Sequence, residues 1–403
     1  MSTLVHNLKK ALSLGAVAST HMINHAYLQI HLALLPVIMI EFNLNLSTIG
    51  IILSIATLCQ VVATIPGGII ADKLGSVKVI LISLLLTLSG ALMMGNASNE
   101  YMVILGISII NLSTAIYHPP AYSLASRLME PNNRGKALGI HGGAGTLGLA
   151  LGPITAGLLL SSYGWRFTYL LWMVPTIISA LILLRVKPTT SQSTKREFSV
   201  SDKESAPPTS QFLTLALLIF LFIISLRAIG MQMVSTILSP FLVFERNVPK
   251  DAASIIFGLM PLMGGIAALI GGFLTDKIGA KRWFAVSLLM TPFSLLGLIY
   301  ANHITLIIAF ILIYGTFNFT AMAATASLLA QLTPAKKRGV GYALFFLPTY
   351  IANTIAPAIA GYVGQNFGLE NAFFIPIFAY FTGLIFLLTI MPKTHGKGYW
   401  KSE

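Results

Sequence analysis

Apolar runs long enough to cross a bilayer recur along this chain at short intervals, broken by brief polar turns. Reading for about 20 consecutive apolar residues bounded by charge predicts twelve spans: 12–40, 48–71, 77–96, 101–128, 135–161, 166–186, 211–244, 252–275, 283–301, 303–331, 339–364 and 371–391. Helices are the expected form, because a spanning segment must satisfy its backbone N–H groups internally. The one long polar stretch, "VKPTTSQSTKREFSVSDKESAPPTSQ" (186–211), reads as a flexible linker of Ser, Thr, Pro and charge. The expected class is an all-α integral membrane protein with twelve transmembrane helices in two pseudo-symmetric six-helix halves. The expected boundaries are an N-terminal half 1–186, a linker 187–210, and a C-terminal half 211–403 with a short tail.

The halves repeat at an offset of 204 residues. Pro36 matches Pro240, Gly68 matches Gly272, Asp72 matches Asp276 and Gly75 matches Gly279; Arg134 matches Arg338, Gly135 matches Gly339, Pro153 matches Pro357 and Gly157 matches Gly361. Eight pairs at one offset point to a duplicated six-helix unit, a parallel repeat typical of transporters whose site lies between the halves.

Composition agrees: 56% of the 403 residues are hydrophobic and 9% charged. The net charge of +13 is spread through short loops and forms no phosphate-binding face, so nucleic acid is not an expected partner. With the N-terminus inside, 21 of 25 basic residues fall on the inner side and only Arg166, Arg246 and Lys250 fall outside, which predicts cytoplasmic termini in a multi-pass cell-membrane protein. The single cysteine, Cys59, excludes an intramolecular disulfide. The chain carries no nucleophile–base pair, metal-ligand cluster or phosphate loop, and "GIHGGAG" lies within an apolar span and not after a strand. No enzyme activity, cofactor or metal is therefore expected, and the chain is expected to act as a monomer.

"GGIIADKLGSVK" (67–78) and "GGFLTDKIGAKR" (271–282) place a carboxylate and basic residues in matching turns after spans 2 and 8. Asp72 and Asp276 could meet a helix N-terminus, or Arg134 and Arg338, in a gate packed through Gly68 and Gly272. In span 5, "GLALGPITAG" (148–157) combines small residues for close helix approach with a bend at Gly152–Pro153. This arrangement resembles the major facilitator superfamily over essentially the whole chain, with span 5 similar to its antiporter-type pattern. "HMINHAYLQIHLALLP" (21–36), "IYHPPAYSLASRL" (116–128) and "SLRAIG" (225–230) are similar to helices 1, 4 and 7 of the fosmidomycin-resistance-like exporters of that superfamily. His21, Asn24, Pro36, His118, Pro119 and Arg227 match; His25 and Pro120 stand where those exporters have Asp and Glu, the natural proton carriers.

All twelve acidic residues fall in loops, tails or span ends, whereas Arg227 lies inside span 7. A charge at that depth costs at least ~2.5–3.5 kcal/mol on the insertion scale. The repeat aligns Arg227 with Ile23, at the depth of Asn24 and His25. Arg227, His25 and His118 are expected to converge on a cavity that favours an anionic group such as a phosphonate, phosphate or carboxylate, which guanidinium can hold bidentately. Asn24, Tyr27, Tyr117, Tyr122, Gln232, Asn318, Tyr350 and Asn353 are candidate contacts, and His25, His118 and His141 are candidate proton carriers. Blander roles remain open beside these: Arg227 bonding backbone carbonyls, His21 as a helix–helix hydrogen bond, His31 as structure. The expected function is alternating-access transport, as export, of a small organic anion or antimicrobial compound, proton-coupled through histidines. Movement of an anionic amphiphile such as a lysophospholipid, or uptake of a nutrient anion, is the alternative.

Overall fold

The computed structural model describes residues 2–129, 133–186, 214–333 and 338–391, with side chains described from residue 10 onward except at 134–135, 268–269 and 338–348. The linker 187–210, most of the C-terminal tail and the side chains of Arg134 and Arg338 lie outside the described residues. Each expected span is a helix. The first is α1 (Ser2–Ala33) with α2 (Leu35–Glu41), followed by α3 (Leu46–Leu74), α4 (Ser76–Gly95), α5 (Glu100–Arg127), α6 (Arg134–Tyr163) and α7 (Trp165–Leu183). The second half holds α8 (Leu215–Pro240) with a π-helical turn at Phe241–Glu245, α9 (Lys250–Ile278), α10 (Ala280–Tyr300), α11 (Ile304–Leu332), α12 (Arg338–Phe367), and α13 (Leu369–Ala372) with α14 (Phe374–Thr389). Helices α3 and α9 outrun their apolar cores at both ends, because Asn45 caps the first through Thr48 N and the chain reverses only at Gly75 and Gly279.

The span-1 helix bends by 53° between α1 and α2. Pro36 lacks the N–H that would continue the helical ladder, so the break falls just before it. Pro240, its partner in the repeat, instead precedes the π-helical turn. Ser239 Oγ donates to Ala33 O at the bend (2.6 Å), tying span 7 to span 1.

The repeat is clearer in the backbone than in the sequence. Three pairs at the 204-residue offset adopt left-handed φ: Asn43 and Asn247 (52° and 51°), Gly75 and Gly279 (86° and 94°), Gly164 and Gly368 (75° and 93°). Each ends a helix at the same point of its half, where only glycine or asparagine takes such a φ at little cost.

Within the N-terminal half, α6 lies directly on α1: a Cβ at Gly148 or Gly152 would sit 2.0 Å from Met22 O or 2.4 Å from Ala26 O. In the turn motifs the first glycine of each pair makes the close approach. A Cβ on Gly67 would come within 2.9 Å of Ile116 Cα and one on Gly271 within 2.5 Å of Thr320 O, whereas Gly68 and Gly272 have no such neighbour. This corrects the expectation for Gly68 and Gly272: one residue turns the helix by about 100°, enough to carry the second glycine off the contact.

Two seams join the halves, α6 against α9 and α3 against α12. In the first, Gly157 abuts Asp251 O and Ile255, Gly258 abuts Ala150 O and Ile154, and Ser254 Oγ donates to Pro153 O. In the second, Gly361 abuts Leu46 O, Gly50 abuts Pro357 O, and Ala358 N donates to Ser54 Oγ. All of these lie toward the face opposite the chain termini. Toward the terminal face nothing comes within 4 Å of a Cβ at Gly139, Gly142, Gly143 or Gly272. Among the described residues the hydrogen-bonded seams end at Thr57–Asn353 and Ser254–Pro153. Among the described residues, the close glycine contacts and hydrogen bonds between these helices lie toward the face away from the termini, and none is seen at the face that carries them.

Candidate functional site

Two polar centres stand at the depth where the seams part, one in each half. The N-terminal centre is a histidine cluster. His21 and His25 are one helical turn apart on α1 and so share a face; His118 reaches them from α5. His21 Nε2 lies 3.1 Å from His25 Nε2, which lies 3.0 Å from His118 Nε2. His21 Nδ1 is 2.7 Å from His141 O, and His118 Nδ1 is 2.8 Å from Thr114 O. A carbonyl can only accept, so both Nδ1 atoms carry their protons, and both neutral rings turn a lone pair at Nε2 toward His25. The His141 ring stacks on His21 with centroids 4.1 Å apart. Tyr122 stands edge-on to His141 at 5.0 Å.

The glycines of α6 make this possible. A Cβ on Gly145 would meet the His21 ring at 2.5 Å, so α6 can carry His141 O to His21 only without a side chain there. His21 is buried, and His25 and His118 are half-buried. Both amide atoms of buried Asn24, together with His25 Nδ1, Gln29 Oε1 and His31 Nδ1, have no hydrogen-bond partner among the described residues.

The C-terminal centre is Arg227 on α8. Its Nη2 donates to Asn318 O (2.6 Å) and Asn318 Oδ1 (2.8 Å) on α11. Asn318 Nδ2 donates in turn to Tyr380 Oη (2.8 Å), which lies 3.3 Å from Tyr314 Oη. Among the described residues no hydrogen bond engages Arg227 Nε or Nη1, and no carboxylate lies inside a span. The acidic side chains described there sit at helix ends, as Glu41, Asp72, Glu100, Asp251, Asp276 and Glu370 do.

Among the described residues, His25 and His118 meet each other while Arg227 meets Asn318, and no hydrogen bond joins Arg227 to either histidine. Tyr27 and Tyr117 are fully buried and donate to Tyr169 O and Val17 O, so they pack the N-terminal half and do not line the opening. Asn318 is buried and orients Arg227. Tyr122 is exposed, and Gln232, Tyr350 and Asn353 are half-buried. Asp72 and Asp276 are exposed on the terminal face. Gly152 and Pro153 serve the closed seam and the α1 contact. Sequence reading passed over Tyr314 and Tyr380, which lack any motif, and assigned no metal-ligand cluster. His21, His25 and His118 each offer a ring nitrogen within 4.8 Å of the others, a convergence made by α1 and α5 that no local spacing displays.

A second missed feature closes the face opposite the termini. Arg166 pairs with Glu41 and donates through Nε to Ala97 O (2.8 Å). Arg246 pairs with Glu370 (2.8 Å) and donates through Nε to Ala301 O (3.0 Å). Glu370 is Arg166 shifted by 204 residues, and Ala301 is Ala97 shifted likewise. Arg246 stands one residue beyond Glu245, the counterpart of Glu41, so each half holds an ion pair at this face with the signs of the two partners exchanged and one partner displaced by a residue.

Twelve helices, a two-fold repeat, two inter-half seams and facing polar centres define a membrane transporter built from duplicated six-helix units. The Major Facilitator Superfamily family model matches residues 17–226 and 220–401, and the chain belongs to that superfamily. It is 25% identical over 381 residues to the fosmidomycin resistance protein of Escherichia coli (strain K12), covering 92% of this chain and 91% of that one. It is 22% identical over 395 residues to the riboflavin transporter RibZ of Clostridioides difficile (strain 630), covering 85% and 83%. Among solved structures it is similar in fold, at 16% identity, to a bacterial homologue of the human lysosomal transporter Spinster in an inward-facing, occupied conformation, with TM-score 0.82 over 97% of this chain and 98% of that one.

Proposed function

We propose that this protein is a secondary transporter that exports a small organic anion or antimicrobial compound across the cell membrane by alternating access. One observation carries the reading: Arg227 is half-buried within a span, and among the described residues only its Nη2 is engaged and no carboxylate lies beside it. A guanidinium left in that state favours an anionic ligand that takes its remaining donors. The fosmidomycin resistance and multidrug resistance names of its relatives support the export direction. The distribution of basic residues supports cytoplasmic termini. In that orientation the parted face opens to the cytoplasm, the loading state of an exporter, and a single chain suffices as the working unit.

The test is purified protein in liposomes loaded with a pH-sensitive dye, a panel of labelled anions, and Arg227→Ala beside the natural chain. Label movement that requires Arg227 supports an anion site. An accompanying dye signal supports coupling to protons, for which His25, His118 and His141 are the expected carriers. Label movement without a dye signal makes the protein a uniporter or exchanger. An anionic amphiphile is the second reading, favoured by exposed Val62, Ile65 and Ile69 on α3. Movement of a labelled lysophospholipid, with no movement of soluble anions, would put it first.

A further inference from the structure

We infer that His21, His25 and His118 form a binding site for a divalent transition-metal ion of the zinc or cobalt type. Two ring–ring contacts of about 3 Å meet at His25 Nε2. His21 and His118 both spend their N–H on carbonyls and present lone pairs there. His25 Nε2 can supply one proton, which satisfies one contact and leaves the other as lone pair against lone pair. A single added proton does no better, because the shared atom cannot be donor to one ring and acceptor from the other. A cation among the three nitrogens satisfies all of them.

The geometry suits such an ion. Zinc–imidazole bonds of 2.0–2.1 Å at tetrahedral angles need nitrogens about 3.3 Å apart. The 3.1 and 3.0 Å separations are a few tenths short of that, and the third lies within 4.8 Å. The carbonyls of His141 and Thr114 already stand as the outer partners that fix ring orientation in metal sites. Bound this way, His25 carries its proton on Nδ1, which among the described residues has no hydrogen-bond partner, as the neighbouring Asn24 amide has none. Neutral imidazoles with no carboxylate select a borderline ion over calcium or magnesium. His25 and His118 are half-buried, so the cluster is not sealed from its surroundings. The inference is independent of the anion site, since Arg227 lies in the other half.

Chelator-treated full-length protein, purified without a polyhistidine tag, is titrated with Co2+ and read by visible ligand-field absorption, then competed with Zn2+. The expected result is one equivalent of tetrahedral-type cobalt, displaced by Zn2+. Affinity should fall about a hundredfold or more in His25→Ala and His118→Ala and stay unchanged in His303→Ala, at the exposed start of α11. His118→Cys keeps a donor at the same place and should retain cobalt with a new sulfur charge-transfer band, which separates ligand loss from misfolding. No ligand-field spectrum in the natural protein, or one that survives His25→Ala in folded protein, overturns the proposal. Proton-driven transport with no metal uptake would do the same and return the cluster to proton transfer.

Discussion

At the scale of single residues, Arg227 and the turn glycines yield the sharpest expectations. Arg227 uses one guanidinium nitrogen on Asn318 and has others to offer; lysine would have to choose between Asn318 and a ligand. Arg227→Lys is expected to lower anion transport in liposomes roughly ten- to a hundredfold, the size of one or two lost charge-assisted hydrogen bonds. The glycine pairs separate two kinds of small residue. Gly271→Ala drives a methyl into Thr320 O and should cost about 1–3 kcal/mol by overpacking, read as a lower Tm in detergent. Gly272→Ala meets nothing within 4 Å and should leave Tm unchanged or slightly raised. The sequence shows two adjacent glycines at matching places; which one touches a neighbour depends on the rotation of the helix against another helix. His21, His25 and Arg227 could likewise be picked out as intramembrane polar residues, but their partners His141, His118 and Asn318 come from other helices.

At the scale of elements, the reversed ion pairs at the ends of spans 1, 6, 7 and 12 pin helix ends to each other. Burial works to raise the Glu41 carboxyl, but hydrogen bonds from Arg166 and Trp165 and the Arg166 charge overcome it and hold it below the usual carboxylate range. A carboxyl lowered on folding stabilises the protein above its unfolded value, near 4.3, and loses that contribution as pH falls through the folded value. Thermal stability is therefore expected to drop more steeply below about pH 4 in the natural protein than in Glu41→Gln; parallel pH–Tm curves would remove Glu41 from the account. In the sequence, half of this device shows only as two arginines that depart from the positive-inside pattern. Arg166 and Arg246 sit there because each has a carboxylate and a backbone carbonyl to bind.

At the scale of the whole molecule, transport requires the closed seams to open while the terminal face shuts. Ser161 Oγ donates to Asp251 Oδ2 (2.8 Å) across the α6–α9 seam. That bond, with the Ala252 N–H, holds the Asp251 carboxyl below its ordinary value. Replacing both residues by cysteine and oxidising them should lock the bundle parted toward the termini, abolishing net transport and leaving reduced protein active. Transport that persists through the crosslink would mean that this seam never opens. Asp72 and Asp276, exposed here, are then expected to gain protection from labelling after Asp72→Cys or Asp276→Cys when substrate drives the terminal face shut.

The sequence by itself determined the spans and the duplication, because lipid imposes length and apolarity on each segment separately and a repeat leaves identical residues at one offset. The left-handed turns at Gly75, Gly164 and their partners follow from the same local rule. Tertiary structure alone decided that the polar residues form two centres and not one, that Tyr27 and Tyr117 are buried, and that three histidines share a point. It also decided which face is closed. Those outcomes depend on how helices from distant parts of the chain rotate and lean against one another, and apolar helices pack by small-residue contacts whose partners no single segment contains.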